Sequence, residues 1–266
     1  MTMKLGCQTF TWEMLGDRWT GGPDDLLHAI GAAGYGGIEI TDKMIGPYAS
    51  NPDDFARALE RDGLVLVAYA IGSPGGFTED EGADLEAVRK ASAFAARFGA
   101  TVSLGSATVM SPGAREAKYD AAARIYNAAL RVGAEEGAAV AIHPSSHHDT
   151  LIFDRADYEA MFDRLDPALG WVPDTGHILR GGQTVADAMT RWSDRIRYVH
   201  LKDVDAAGDW AMLGQGVVDI AEIAHLAKAA PRFNGWLVAE EESEEAARDP
   251  AAAVATNRLV LEGALC

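Results

Sequence analysis

Short apolar, β-branched runs recur along the whole chain, each entered through a turn and each followed by a helical pattern. They open near Lys4 (KLGCQTF), Gly37 (GIEI), Leu64 (LVLVAYAI), Thr101 (TVSLGS), Ala138 (AAVAIH), Gly170 (GWVPD), Ile196 (IRYVHL) and Gly235 (GWLVAE), at intervals of 26 to 39 residues. The segments between them carry helix start and stop signals. Pro23-Asp24-Asp25 precedes LLHAIGAAG, Pro52-Asp53-Asp54 precedes FARALERDG, the run from Asp84 to Phe98 ends at Gly99, and the run from Ala114 to Glu136 ends at Gly137. Asp219 followed by Glu222 has the spacing of a capping box, and Asp249-Pro250 puts an acceptor at the cap and a preset φ at the first helical position. Strand then helix, repeated through residues 1–266, predicts an α/β fold: a single-domain (β/α)8 barrel. A doubly wound open sheet shares the alternation. Eight units of about 33 residues with nothing left over, and no glycine-rich dinucleotide fingerprint after any strand, favour closure. Gly72-Ser73-Pro74-Gly75-Gly76 is glycine-rich, but its proline and the lack of a helix directly after it predict a mobile loop rather than a phosphate cradle.

Charge narrows the partners. Lys plus Arg is 23 against 40 Asp plus Glu, a formal charge of -17 with no basic patch to offset it, which repels nucleic acid and anionic membrane surfaces. Cys7 and Cys266 are too few for a disulfide framework or a thiolate zinc site. The first residues enter a strand-like run directly, and no window approaches about 18 uninterrupted apolar residues. The expectation is a soluble, cytoplasmic protein.

In a parallel barrel the active site lies at the C-terminal ends of the strands. The polar residues ending four consecutive apolar runs are His143, Asp174, His200 and Glu240. Alternation places His143 on the face of Ala139 and Ala141, Asp174 on that of Gly170 and Val172, His200 on that of Tyr198, and Glu240 on that of Trp236 and Val238. The alternation is compatible with all four pointing inward. Two imidazoles and two carboxylates suit one borderline divalent ion, Mn²⁺ before Co²⁺, Zn²⁺ or Mg²⁺. A one-residue slip would turn Glu241 inward instead, so Glu241 and Glu242 compete with Glu240.

The segments PDTGHILRGG, YVHLKDV, LGQGVVDI and GWLVAEEE, in that order, resemble the xylose isomerase-like sugar phosphate isomerases and epimerases, a family that includes inosose dehydratase. The 26-residue interval from Asp174 to His200 is typical of it. The resemblance implies that Asp174, His200 and Glu240 bind metal and that His177 binds a substrate oxygen. Where ketose epimerases of this fold carry a glutamate on the fifth strand, this chain has His143-Pro144. The HPSSHHDT segment instead looks like the His-Pro-His-x-Gly-Thr run of inosose dehydratases, and alignment through Thr150 makes His147 the second histidine.

Lys202 follows His200 by two residues and shares its inward face, as a base, a proton donor or a holder of a hydroxyl, its pKa depressed by the cation, or as an ion-pair partner of Asp203 or Glu39. Glu39 binds a sugar hydroxyl, orients Lys202 or is structural. Trp12, Phe10 and Phe77 stack on a sugar face or fill the core; Asp203, Gln215 and Asp219 order loops.

Together these features imply a metal-dependent enzyme acting on a keto sugar, keto-inositol or 3-keto-glycoside. The reaction starts by α-proton abstraction through an enediolate and ends in dehydration by β-elimination or in isomerisation, with His147 and Lys202 as catalytic groups. A ketose 3-epimerase or sugar isomerase is the alternative. A non-catalytic sugar-binding barrel is the reading from another class, and an apurinic endonuclease is disfavoured by the acidic charge. The expected partner is a small carbohydrate, with no nucleic acid and no membrane, and the sequence is compatible with a homo-oligomer.

Overall fold

The computed structural model describes residues 3–147 and 149–265. Its strands are β1 (Lys4–Gln8), β2 (Gly37–Thr41), β3 (Val65–Ile71), β4 (Thr101–Leu104), β5 (Ala139–Ile142), β6 (Gly170–Trp171) and β7 (Val199–Leu201), then a short hairpin of β8 (Asp203–Val204) and β9 (Trp210–Ala211), and finally β10 (Trp236–Ala239). Eight of them form one parallel sheet in the order β6-β5-β4-β3-β2-β1-β10-β7. The two ends of that order meet: Trp171 bridges Ile196 and Asp174 bridges His200, both parallel. Arg197 N–H donates to the Trp171 carbonyl and His200 N–H to that of Pro173, each at 2.9 Å. The sheet thus closes into the expected barrel, and the open-sheet alternative falls away.

Helices follow the strands where the punctuation places them. The Pro52–Arg61 helix starts on its proline and buries Phe55, Ala58 and Leu59, one stripe at helical spacing. Gly137, at φ 82°, ends the Arg115–Glu136 helix in the left-handed conformation that a β-carbon would oppose. Asp219 accepts the Glu222 N–H at 2.9 Å and caps the Ile220–Ala229 helix.

One boundary differs from the expectation. The helix read from Asp84 begins at Glu81 and is capped by Asp80, because Asp84 is fully buried and turned back under the preceding loop. Its Oδ1 accepts from Ser73 Oγ and, at 2.8 Å, from Gly75 N–H. Phe77 is buried against Tyr126, ring centroids 5.1 Å apart, so it belongs to the core. The glycine-rich loop is held at both ends of its turn rather than left free.

The strands divide two cores. Outward residues such as Ile38, Ile40, Val102, Leu104, Leu201 and Leu237 pack under the helices. Inward residues Val67, Ala68, Ala141, Val172, Tyr198, Trp236 and Val238 fill the barrel. Ala141, Val172, Tyr198 and Val238 each stand two positions before His143, Asp174, His200 and Glu240. The period of two therefore lifts those four side chains into the next layer of the interior, at its open end. No helix among the described residues is long and apolar enough to cross a membrane.

Beyond β7 the chain is organised by Asp203, which is 1% exposed. Its Oδ2 accepts from the N–H groups of Gly214 and Gly216, and its Oδ1 from those of Val204 and Val218, all at 3.0 Å. Removing a charged acceptor leaves such donors without partners at roughly 1.5–3 kcal/mol apiece before relaxation. Asp203→Ala is therefore expected to lower stability by about 3 kcal/mol or more, read as a shifted urea midpoint.

Candidate metal centre and its pocket

The ends of β5, β6, β7 and β10 bring His143, Asp174, His200 and Glu240 together, each offering one ligand atom within 4.8 Å of the others. Asp174 Oδ2 lies 3.6 Å from His143 Nε2 and 3.7 Å from His200 Nδ1, and Glu240 Oε2 lies 2.8 Å from His200 Nδ1. These four atoms, His143 Nε2, Asp174 Oδ2, His200 Nδ1 and Glu240 Oε2, are all buried without a hydrogen bond of good geometry. Buried polar atoms are ordinarily satisfied, so four orphans facing one another fit a cation between them. Ligands about 2.0–2.2 Å from an ion stand roughly 3.3–3.6 Å apart in a tetrahedron, close to the two Asp174 separations and wider than the Glu240–His200 one.

His200 is oriented from behind. Its Nε2 lies 2.7 Å from Glu39 Oε2, and both residues are fully buried. A carboxylate on the far ring nitrogen fixes the tautomer and turns Nδ1 toward the cluster, as in histidines that bind metal. Glu39 is not among the residues lining the cavity, and its hydrogen bond goes to His200 rather than to Lys202.

Above the cluster opens a cavity of about 180 Å³ whose lining includes Phe10, Glu13, Asp42, Ser103, His143, His147, His177 and Glu240. His177 is buried, with Ser146 Oγ 2.9 Å from its Nδ1 and Lys202 Nζ 3.2 Å from its Nε2. Burial, reinforced by the Lys202 charge, pushes its pKa down to about 3 and keeps the ring neutral. Lys202, 1% exposed, donates to Glu240 Oε1 and Glu242 Oε1, not to Asp203 or Glu39. Burial favours the neutral amine, but in the absence of an ion Glu240, Glu242 and Asp174 outweigh it and push the pKa up. The side chain is a fixed ammonium. His147, with its side chain 45% exposed, stands at the rim with Nε2 3.4 Å from Glu242 Oε1.

The family described as "Xylose isomerase-like TIM barrel" matches residues 27–262. The chain belongs to this family. Inosose dehydratase of Geobacillus kaustophilus (strain HTA426) is 30% identical over 124 residues, 39% of this chain and 40% of the relative. That of Geobacillus thermodenitrificans (strain NG80-2) is 28% identical over 138 residues, 45% of each chain. The chain thus spans less than half the length of the curated relatives it matches. Among solved structures, the "IOLI protein with a binding zinc atom" superposes with a TM-score of 0.81 at 16% identity, covering 99% of this chain and 98% of that one. Those values establish a shared barrel.

Within this xylose isomerase-like barrel, Trp12 lies away from the pocket. It is 1% exposed and meets Trp19 edge-on at 6.3 Å. The reason is helical: on the Phe10–Glu13 turn, residues three apart share a face, so Phe10 and Glu13 reach the cavity and Trp12 faces the core. The register at β10 separates the three glutamates. Glu240 and Glu242 turn in, whereas Glu241 accepts from Asn257 Nδ2 at 2.7 Å and Ser243 N–H at 2.8 Å, and burial raises its pKa.

Glu242 entered the sequence reading only as a competitor of Glu240, although it stands two positions beyond it on the same alternation, and other residues of the site were not read at all. Ser146 and Trp210 carried little signal, because loop paths bring them in. Trp210 packs edge-on against His177, centroids 5.2 Å apart, with Lys202 Nζ 4.8 Å from its ring centre. Gly176 makes room for this: a β-carbon there would lie 2.7 Å from Trp210 Cζ3 and 2.9 Å from Lys202 Cγ.

Proposed function

We propose that the chain is a divalent-metal-dependent enzyme that takes the α-proton from a keto sugar, keto-inositol or 3-keto-glycoside and completes a β-elimination, with isomerisation as the competing outcome. The observation that carries this reading is the convergence of four orphaned ligand atoms at the floor of the cavity. The partial likeness to inosose dehydratases supports a keto-sugar substrate. His143, Asp174, His200 and Glu240 would hold the ion, and their mixed nitrogen and oxygen donors suit Mn²⁺, Co²⁺ or Zn²⁺ better than Ca²⁺. When bound, such an ion supplies Lewis-acid polarisation of the ketone, which acidifies the neighbouring C–H.

The fate of the substrate after that rests with the chain's own groups. Lys202 is held protonated by two carboxylates, so it donates a hydrogen bond rather than taking a proton. Neutral His177 orients a substrate oxygen from the cavity wall. His147, exposed at the rim beside Glu242, is placed to take the α-proton and to pass it to the departing oxygen, so that one group on one side serves as base and then as acid. A two-base epimerisation needs bases on both faces of the inverted carbon. Here β5 ends in His143 rather than a carboxylate, and Glu240 and Glu242 both come from β10.

The test is a keto-inositol or ketose incubated with metal-loaded protein in D₂O. Elimination product should exceed C3-epimerised substrate, and His147→Ala should slow turnover by about a hundredfold with metal content intact. Clean epimerisation with deuterium incorporated and no elimination assigns the chain to the epimerase alternative. Full activity in exhaustively metal-free protein would sink the mechanism, and no turnover in any substrate with metal bound would leave a sugar-binding barrel.

A further inference from the structure

We infer that the ammonium group of Lys202 occupies the position of a second metal ion, and that the chain takes one divalent ion rather than two for this reason. The inference rests on the proposed metal site. It starts from the neighbours of the ammonium: Glu240 Oε1 at 2.5 Å, Glu242 Oε1, and His177 Nε2 at 3.2 Å. Each belongs to a residue type that binds borderline divalent ions. His147, His177 and Glu242 form a second group whose ligand atoms lie within 4.8 Å of one another, beside the first group and sharing no residue with it.

Glu240 joins the two groups. Its Oε2 faces His200 Nδ1 in the first, and its Oε1 accepts from Lys202 in the second. One carboxylate divided between two cations is the arrangement of two-metal sites, in which ions stand about 3.5–4 Å apart. Here one of the two cations is a side chain. Trp210 adds an aromatic face 4.8 Å from Nζ, a further mark of a position built around positive charge. Ser146 holds the far side of the His177 ring, its N–H donating to Nδ1 at 3.0 Å and its Oγ 2.9 Å from the same atom. His147 stands half exposed at the rim of the group.

Charge sets the direction of the effect. Glu39, Asp174, Glu240 and Glu242 converge beneath the cavity at the open end of the barrel, and Lys202 is the one ammonium among them. Removing it leaves the same ligands, more negative charge and an open position. A divalent ion entering there restores what the lysine supplied.

The experiment counts zinc. Chelator-stripped protein is titrated with Zn²⁺, desalted, and its zinc per chain measured by elemental mass spectrometry, with far-UV circular dichroism to confirm folding. The unmodified chain should hold one ion, Lys202→Ala two, and the double variant Lys202→Ala/Glu242→Gln one. A folded Lys202→Ala chain with no gain over the unmodified protein overturns the inference. Two ions in the unmodified chain overturn it whatever the variants do. No ion in the unmodified chain contradicts the proposed metal dependence, while the difference between it and Lys202→Ala still decides this question. Lys202→Ser gives the same count should the alanine chain fail to fold.

Discussion

Asp174→Asn is expected to lower metal affinity by well over about a hundredfold and to take turnover down with it, since partners that merely orient a ligand are already worth about 10–100-fold. Glu240→Gln should do the same. Asp174 Oδ2 faces both imidazoles, 3.6 Å from His143 Nε2 and 3.7 Å from His200 Nδ1, and an amide in its place offers a weaker donor with no charge to offset the ion. Glu39→Gln makes the comparison sharper. It leaves all four ligands in place and should cost only about 10–100-fold, through a loosened His200. Metal retained after desalting, measured beside kcat, separates the cases. Unchanged occupancy in both Asp174→Asn and Glu240→Gln would show that the ion is held elsewhere.

Lys202→Met is the second large effect, and it falls on stability. The methionine fills the stem's volume but strands Glu240 and Glu242, both buried, without their common partner. Breaking a buried ion pair on one side costs about 3–5 kcal/mol, because the surviving charge is left uncompensated. The loss should appear in urea unfolding of metal-free protein and shrink when the metal is restored, since a cation on Glu240 takes over part of the missing charge. Equal loss with and without metal would mean that packing, not charge, dominates at this position.

The convergence of the four proposed ligands was legible because each member obeys a local rule. His143, Asp174, His200 and Glu240 all lie two positions beyond a residue of the barrel interior, and a period of two is readable from a single strand. Glu39 obeys the same rule, but its partner is 161 positions away, so its part as the support of His200 rather than a substrate contact needed the closed ring. Trp12 and Phe10 differ by two positions on a short helical turn that the sequence did not announce, and the turn decides which of them sees the pocket. Asp84 read as the start of a helix because nothing nearby shows that its carboxylate is taken by Ser73 and Gly75. Short-range periodicity reports where a side chain points, and only the fold reports what it meets.

The closure of the ring bears on how the protein is made. β1 pairs with β10, placing Lys4 beside Trp236, so the first strand leaves the ribosome long before its second neighbour exists. Until then its edge is open, and contacts of such separation in sequence form slowly because a long chain must be closed to make them. Glu240, the last of the four proposed ligands, lies just past that last strand. A nascent chain can therefore present three of these side chains but cannot complete the set, and the cluster is assembled only by the step that seals the barrel.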